Sequence, residues 1–163
     1  MSTAVLSVGS NLGDRLAAVQ GAIEALRPWL VAVSPVYETA PWGPVPQQDF
    51  LNAVLIAADA QASPGDWLAR AQAAERAAGR TREVRWGPRT LDVDVIAVDD
   101  VISDDPRLTL PHPHAAQRAF VLVPWLAAQP DARLSGRPVR DLLAALPPDS
   151  VAGVRSRLDL VVA

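Results

Sequence analysis

The sequence predicts an α+β fold with a ferredoxin-like βαββαβ core, a mostly antiparallel sheet flanked by helices, and additions toward the C-terminus. Three observations predict it. Apolar or β-branched runs of strand length occur at Ala4–Val8, Val31–Thr39, Phe50–Ala58 and Thr90–Val98. Two stretches of helical period stand between them, one after the first run and one after the third. No repeat, low-complexity tract or long linker divides the 163 residues, so a single domain over 1–163 is predicted.

The elements follow in order. Ala4–Val8 ends at Gly9, and Ser10 or Asn11 can cap a helix. Leu12, Leu16, Val19, Ile23, Leu26 and Leu30 recur at helical spacing, and Pro28 places the helix end near Arg27. Residues 40–49 hold three prolines and a glycine and read as a loop. Ser63, Pro64 and Asp66 are a helix start, with a cap, a proline at the first position and an acid at the third. Leu68, Ala71, Ala74 and Ala78 form that helix's buried stripe, and Gly79 suits its end. Residues 80–89 lack either period and read as a loop, as do residues 104–113. Ala115–Ala128 is helical with a break at Pro124, Val139–Leu146 is a short helix, and Leu158–Val162 is a final strand.

Composition excludes several functions. Half the residues are hydrophobic and the net charge is −3, which argues against disorder and against general binding to nucleic acid or a membrane surface. No apolar run approaches the ~20 residues that span a bilayer. Met1 to Gly9 has no basic segment or long apolar stretch, so no signal peptide is predicted and a cytoplasmic protein is expected. There is no cysteine, hence no disulfide or thiolate nucleophile. All 15 basic residues are arginine, which removes Walker-type and Schiff-base chemistry. Any phosphate clamp must then be built from guanidinium groups.

The chemistry centres on Leu91-Asp92-Val93-Asp94-Val95. Alternation in a strand puts Asp92 and Asp94 on one face and the apolar residues on the other. Two neighbouring carboxylates resist ionising together unless a cation joins them, and oxygen-only donors suit Mg²⁺. A solvated outer strand face would show the same pattern. Arg80, Arg82, Arg85 and Arg89 lie just upstream, between Gly79 and Gly87-Pro88. They could form a salt-bridge network or a phosphate-binding lid. Asn52 lies two residues from Phe50 on the same strand face, an arrangement that suits a flat heterocycle or a local backbone hydrogen bond. His112 and His114 have no acidic or cysteine partner at zinc-like spacing, so a phosphate contact or loop hydrogen bond is favoured over zinc.

The segment Arg85-Trp86-Gly87-Pro88-Arg89-Thr90-Leu91-Asp92-Val93-Asp94 resembles the signature of 6-hydroxymethyl-7,8-dihydropterin pyrophosphokinases. Gly9-Ser10-Asn11-Leu12-Gly13, Tyr37 to Pro44, Phe50-Leu51-Asn52, Leu108 to His112 and Arg118-Ala119-Phe120 match that family's other motifs in order, from about residue 4 to about residue 145. The resemblance implies transfer of the β,γ-diphosphate of ATP to the pterin hydroxymethyl group, with AMP released. It implies two Mg²⁺ held by Asp92 and Asp94, and phosphate binding or charge stabilisation by Arg80, Arg82 and Arg89. It places Gln72, Glu75, Trp86, His112 and Arg118 on the ATP side. It places Thr39, Pro41, Trp42, Phe50, Asn52 and Phe120 around the pterin, with the two phenylalanines stacking. The partners implied are these two small molecules, with no nucleic acid or membrane, and a monomer is expected. The chain departs from the family's pattern in Pro113, where an aromatic residue is common, and in Phe50, where tyrosine is common. The basic loop is about one residue shorter than in some relatives, which shifts Arg85.

Other enzyme classes fit less well. A two-metal nuclease or phosphatase needs more converging carboxylates or histidines than are visible. A pterin aldolase partner domain would need a second motif set and a lysine. An ATP-sensing module of the same fold, binding without turnover, is the remaining alternative.

Overall fold

The computed structural model describes residues 2–41, 46–79 and 90–162. Its first strand, β1 (Ser2–Ser10), runs through the middle of the sheet, and almost all of its residues are buried. The following helix, α1 (Arg15–Leu26), is capped by Asp14, whose carboxylate accepts from the Ala17 N–H at 3.0 Å. Ser10 and Asn11, the expected caps, are instead taken up by β1 and its exit. Leu12 therefore lies outside the helix and is 41% exposed, while Val19, Ile23 and Leu26 keep the buried stripe. A 3₁₀ turn at Arg27–Trp29 absorbs Pro28, and Leu30 opens a strand rather than extending the helix.

The expected second strand is two strands, β2 (Leu30–Val33) and β3 (Tyr37–Thr39), both antiparallel to β4 (Phe50–Asp59). Pro35 cannot donate to a ladder and interrupts them. Ser34 holds the crossing in place: its N–H donates to the Val54 carbonyl and its hydroxyl accepts from the Val54 N–H, each at 2.9 Å. Helix α2 (Pro64–Ala77) starts with the expected capping box between Ser63 and Asp66. Trp67, Ala71 and Ala74 are buried, and Gly79 follows at φ +71, a left-handed conformation that glycine adopts without strain.

Among the described residues, strand β5 (Asp92–Val98) pairs with β1 alone and forms one edge of the sheet. The sheet order is β3-β4-β1-β5, with every pairing antiparallel, as expected for the ferredoxin-like core. The expected loop at 104–113 contains a small hairpin, β6 (Ser103–Asp105) and β7 (Leu108–Leu110). Helix α3 (Ala119–Ala128) follows a 3₁₀ turn at Ala115–Gln117 and continues through Pro124 without the expected break. The strand pair β8 (Arg133–Leu134) and β9 (Arg137–Pro138) leads into α4 (Val139–Ala144) and α5 (Pro148–Ala152). The last strand is β10 (Arg155–Ser156), paired with β3. Leu158–Val162, expected as a strand, is a turn and tail. Arg157 is drawn to Glu38 and Asp159, and the Leu160 N–H closes back onto the Arg157 carbonyl.

Two apolar layers result from strand alternation. Leu6, Val8, Leu55 and Val93 pack on α1 and α2, while Val5, Val54, Ile56 and Ile96 pack on α3 and α4. Along that second face the apolar residues give way to Ser7, Gly9, Asn52, Asp92 and Asp94, which line a cavity. Among the described residues no helix is long and apolar enough to cross a membrane.

Candidate active site

Strand register sets the floor of the site. Gly9 is paired with Asp92 on one side and with Asn52 on the other, and Ser7 is paired with Asp94. Asp92 and Asp94 are half-buried on the face opposite the buried Leu91, Val93 and Val95, as alternation requires. A Cβ at Gly9 would stand 3.1 Å from Asn52 Oδ1 and 3.4 Å from Phe50 Cδ1. Glycine therefore keeps the floor open between the carboxylates and the asparagine.

The walls of this cavity, about 90 Å³, are Thr39, Ala40, Phe50, Arg118 and Phe120. Asn52 is 4% exposed, and its Nδ2 donates to Thr39 Oγ1 at 2.7 Å. That bond orients the amide and leaves Oδ1 as the acceptor toward the cavity side. The Arg118 guanidinium lies 5.6 Å from the Phe120 ring centroid.

A larger cleft, about 460 Å³, adjoins the other side of β5. Leu68, Gln72 and Glu75 of α2 form one wall, and Pro106 to Thr109, His112 and Pro113 form the other. Asp94 lines both the cavity and the cleft. Glu75 is buried, and its Oε2 accepts from the Val93 N–H at 2.9 Å, on the outer edge of β5. Burial, with Arg118 and His114 nearby, pushes His112 down to about 4, so its imidazole is neutral near pH 7.

The structure thus brings Thr39, Phe50, Asn52, Asp92, Asp94, Arg118 and Phe120 together around one cavity. It gathers Gln72, Glu75 and His112 around the cleft, with Arg118 on the cavity side instead. Pro41 follows Ala40 but does not line the cavity. Arg80, Arg82, Arg85, Trp86, Arg89 and Trp42 lie outside the described residues. Sequence reasoning missed Ser7, Arg107 and Thr109. The latter two belong to the hairpin read as a loop, and their signal was proximity to the Leu110-Pro111-His112 motif.

The donor set fits magnesium. Two aspartate carboxylates on one face provide hard oxygen ligands, and Mg²⁺ commonly completes its shell with water and substrate phosphate. No group of three or more acidic, histidine or cysteine side chains converges among the described residues, so an all-protein metal cage is not present there.

Fold and site together define an α+β domain whose acidic pair separates a small aromatic-walled cavity from a wide polar cleft, an arrangement suited to group transfer between two ligands. The chain belongs to the family described as 7,8-dihydro-6-hydroxymethylpterin-pyrophosphokinase (HPPK), whose model matches residues 5–130. It is 52% identical to the 2-amino-4-hydroxy-6-hydroxymethyldihydropteridine pyrophosphokinase of Mycobacterium bovis, over 98% of this chain and 94% of that protein. It is 43% identical to the protein of that name from Methylorubrum extorquens, over 94% of this chain and 99% of the other. Among solved structures it is similar to Plasmodium falciparum HPPK-DHPS, with a TM-score of 0.65 at 13% identity, which bears on the fold alone. The match covers 88% of this chain and 44% of that longer one.

Proposed function

We propose that the protein transfers the β,γ-diphosphate of ATP to the hydroxymethyl group of 6-hydroxymethyl-7,8-dihydropterin, releasing AMP, as a step of folate biosynthesis. The observation that carries this reading is Asp94, which lines both the aromatic cavity and the polar cleft. A group bound in one can meet a group bound in the other beside Asp94. The hydroxymethyl oxygen forms a bond to the β-phosphorus, the bond from that phosphorus to the α,β-bridging oxygen breaks, and AMP leaves with that oxygen. The hydroxyl proton passes to solvent or a phosphate oxygen.

Asp92 and Asp94 would hold two Mg²⁺ ions in this reading, and the bound metal would supply neutralisation of phosphate charge and polarisation of the attacking hydroxyl. The remaining work belongs to side chains that position. Phe50 and Phe120 stack on the pterin, and Asn52, aligned by Thr39, offers Oδ1 to a ring N–H or amino group. Gln72, Glu75, Arg107, Thr109 and His112 line the nucleotide side. Neutral His112 adds a hydrogen-bonding group without a second cation beside Arg118. In this reading Arg80, Arg82 and Arg89 serve the phosphates, Trp86 the ATP side, and Pro41 and Trp42 the pterin side. The chain works as one domain, as a monomer, in the cytoplasm. Positioning and electrostatics drive the transfer, with no dedicated general base.

Product analysis tests this. Protein, ATP, Mg²⁺ and the hydroxymethyl-dihydropterin should yield AMP and pterin diphosphate in equal amounts, and only with all components present. ADP with phosphate would overturn it in favour of ordinary kinase or phosphatase chemistry. ATP binding without turnover would favour the sensing module.

A further inference from the structure

We propose that the C-terminal segment around Arg157 is a clasp that positions the pterin cavity, acting through Glu38 and Asp49 without touching the substrate. The inference rests on the reading that the Thr39–Phe50–Asn52 cavity takes the pterin. Thr39 and Phe50 both line that cavity and are paired across β3 and β4. They also flank the segment 40–49 on either side. Each is preceded in sequence by an acid, Glu38 before Thr39 and Asp49 before Phe50.

Three arginines hold those acids. Glu38 has 14% of its side chain exposed; Oε2 accepts from Arg15 Nη1 at 2.6 Å and Oε1 from Arg157 Nη1 at 2.9 Å. Arg15 Nη1 also donates to the Asp49 carbonyl at 2.9 Å, and Arg155 Nη2 donates to Asp49 Oδ2 at 2.6 Å. Arg157 is itself fixed, with its N–H on the Val36 carbonyl and its guanidinium on both Asp159 oxygens at 2.9 Å. The Arg15 and Arg157 guanidinium groups hold the Glu38 carboxyl well below the usual carboxylate range.

Alternation along β3 separates this network from the substrate. Thr39 faces the cavity, so Glu38 faces the opposite side of the sheet, toward Arg15 of α1. The clasp can therefore act only by fixing backbone. An isolated exposed ion pair contributes little, but a partly buried network of arginine forks restrains several segments at once. It joins the start of α1, the end of β3, the start of β4 and the chain after β10. A cavity whose walls are already in place loses less freedom when the heterocycle enters.

The experiment uses the full chain and compares Arg157→Ala, Glu38→Gln and Arg157→Lys with a control, Arg70→Ala. Arg70 lies over the Trp29 ring and pairs with Asp59, away from both the cavity and the cleft. Pterin and ATP KM values, kcat, Tm and direct binding of the oxidised analogue 6-hydroxymethylpterin without ATP are measured. The clasp predicts a roughly tenfold weaker pterin KM and analogue affinity in Arg157→Ala, with ATP KM and kcat within about twofold. Glu38→Gln should move the same way, Arg157→Lys should recover part of the loss, and Arg70→Ala should lower Tm without moving pterin KM. Phe120→Ala reports on the cavity itself. If it weakens the analogue while Arg157→Ala and Glu38→Gln lower only Tm, the clasp is overturned and the cavity reading survives. If Phe120→Ala leaves analogue binding unchanged, the cavity reading fails and the clasp fails with it.

Discussion

Glu75 Oε2 accepts a hydrogen bond from the Val93 N–H at 2.9 Å, and Val93 is the residue between Asp92 and Asp94. The bond ties α2 to the outer edge of β5, where among the described residues no neighbouring strand pairs with it. The two carboxylates are carried by backbone that this bond holds still. Glu75→Ala should raise the Mg²⁺ concentration for half-maximal rate roughly tenfold, as loss of a group that orients metal ligands commonly does. Glu75→Gln keeps an acceptor oxygen and should recover most of it. A Mg²⁺ titration of initial rates at saturating ATP measures this, and equal curves for all three proteins would remove Glu75 from the site.

Asp92→Ala and Asp94→Ala should each lower kcat by about 10³-fold or more, because each removes a proposed metal ligand where charge develops. Both side chains are half-buried on the cavity floor and outside the apolar layers, so Tm should move little. Chelating the divalent metal should stop wild-type turnover, and added Mg²⁺ should restore it. Near-normal turnover in both variants would refute the metal assignment.

Much of the architecture was legible because its signals are local. The Ser63-Pro64-Asp66 start, the alternation at Asp92 and Asp94, and the helical stripe of α1 each involve neighbours in sequence. What escaped depends on distant contacts. Three residues per strand are too few to show a period, so β6 and β7 read as loop. Ser10 and Asp14 are both good caps, and the choice was made by Ser10 pairing with Leu51 in the sheet. Leu158–Val162 has strand composition, but Arg157 turns the chain toward Glu38, 119 positions away. The cavity residues were identifiable by type and motif, whereas the doubling of Asp94 between cavity and cleft required the register of β5 on β1.

Gly9→Ala tests the floor of the cavity. The new Cβ would stand 3.1 Å from Asn52 Oδ1, and Asn52 has little room to withdraw while Nδ2 is bonded to Thr39. Overpacking of this kind costs about 1–3 kcal/mol. Since the displaced atom is the acceptor proposed to meet the pterin, the cost should fall on pterin KM, with ATP KM unchanged. Steady-state kinetics with each substrate varied in turn checks this, and an unchanged pterin KM would show that Asn52 does not contact the heterocycle.

His112 supplies the pH dependence. Its folded value, about 4, lies below the ordinary 6.5, chiefly through burial and then through Arg118 and His114. Between those values the unfolded chain binds the proton more readily, so this contribution to stability is present in full above about pH 6.5 and declines as pH falls. It is lost below about pH 4. His112→Gln should therefore flatten the fall in Tm across that window. Asp94 and Arg107 line the same cleft, and a bound triphosphate would add negative charge there and raise the His112 value. Nucleotide binding near pH 5.5 should then take up a proton. Calorimetry in buffers of different ionisation enthalpy measures that uptake, and it should vanish in His112→Gln; uptake that persists in the variant would assign the proton to another group.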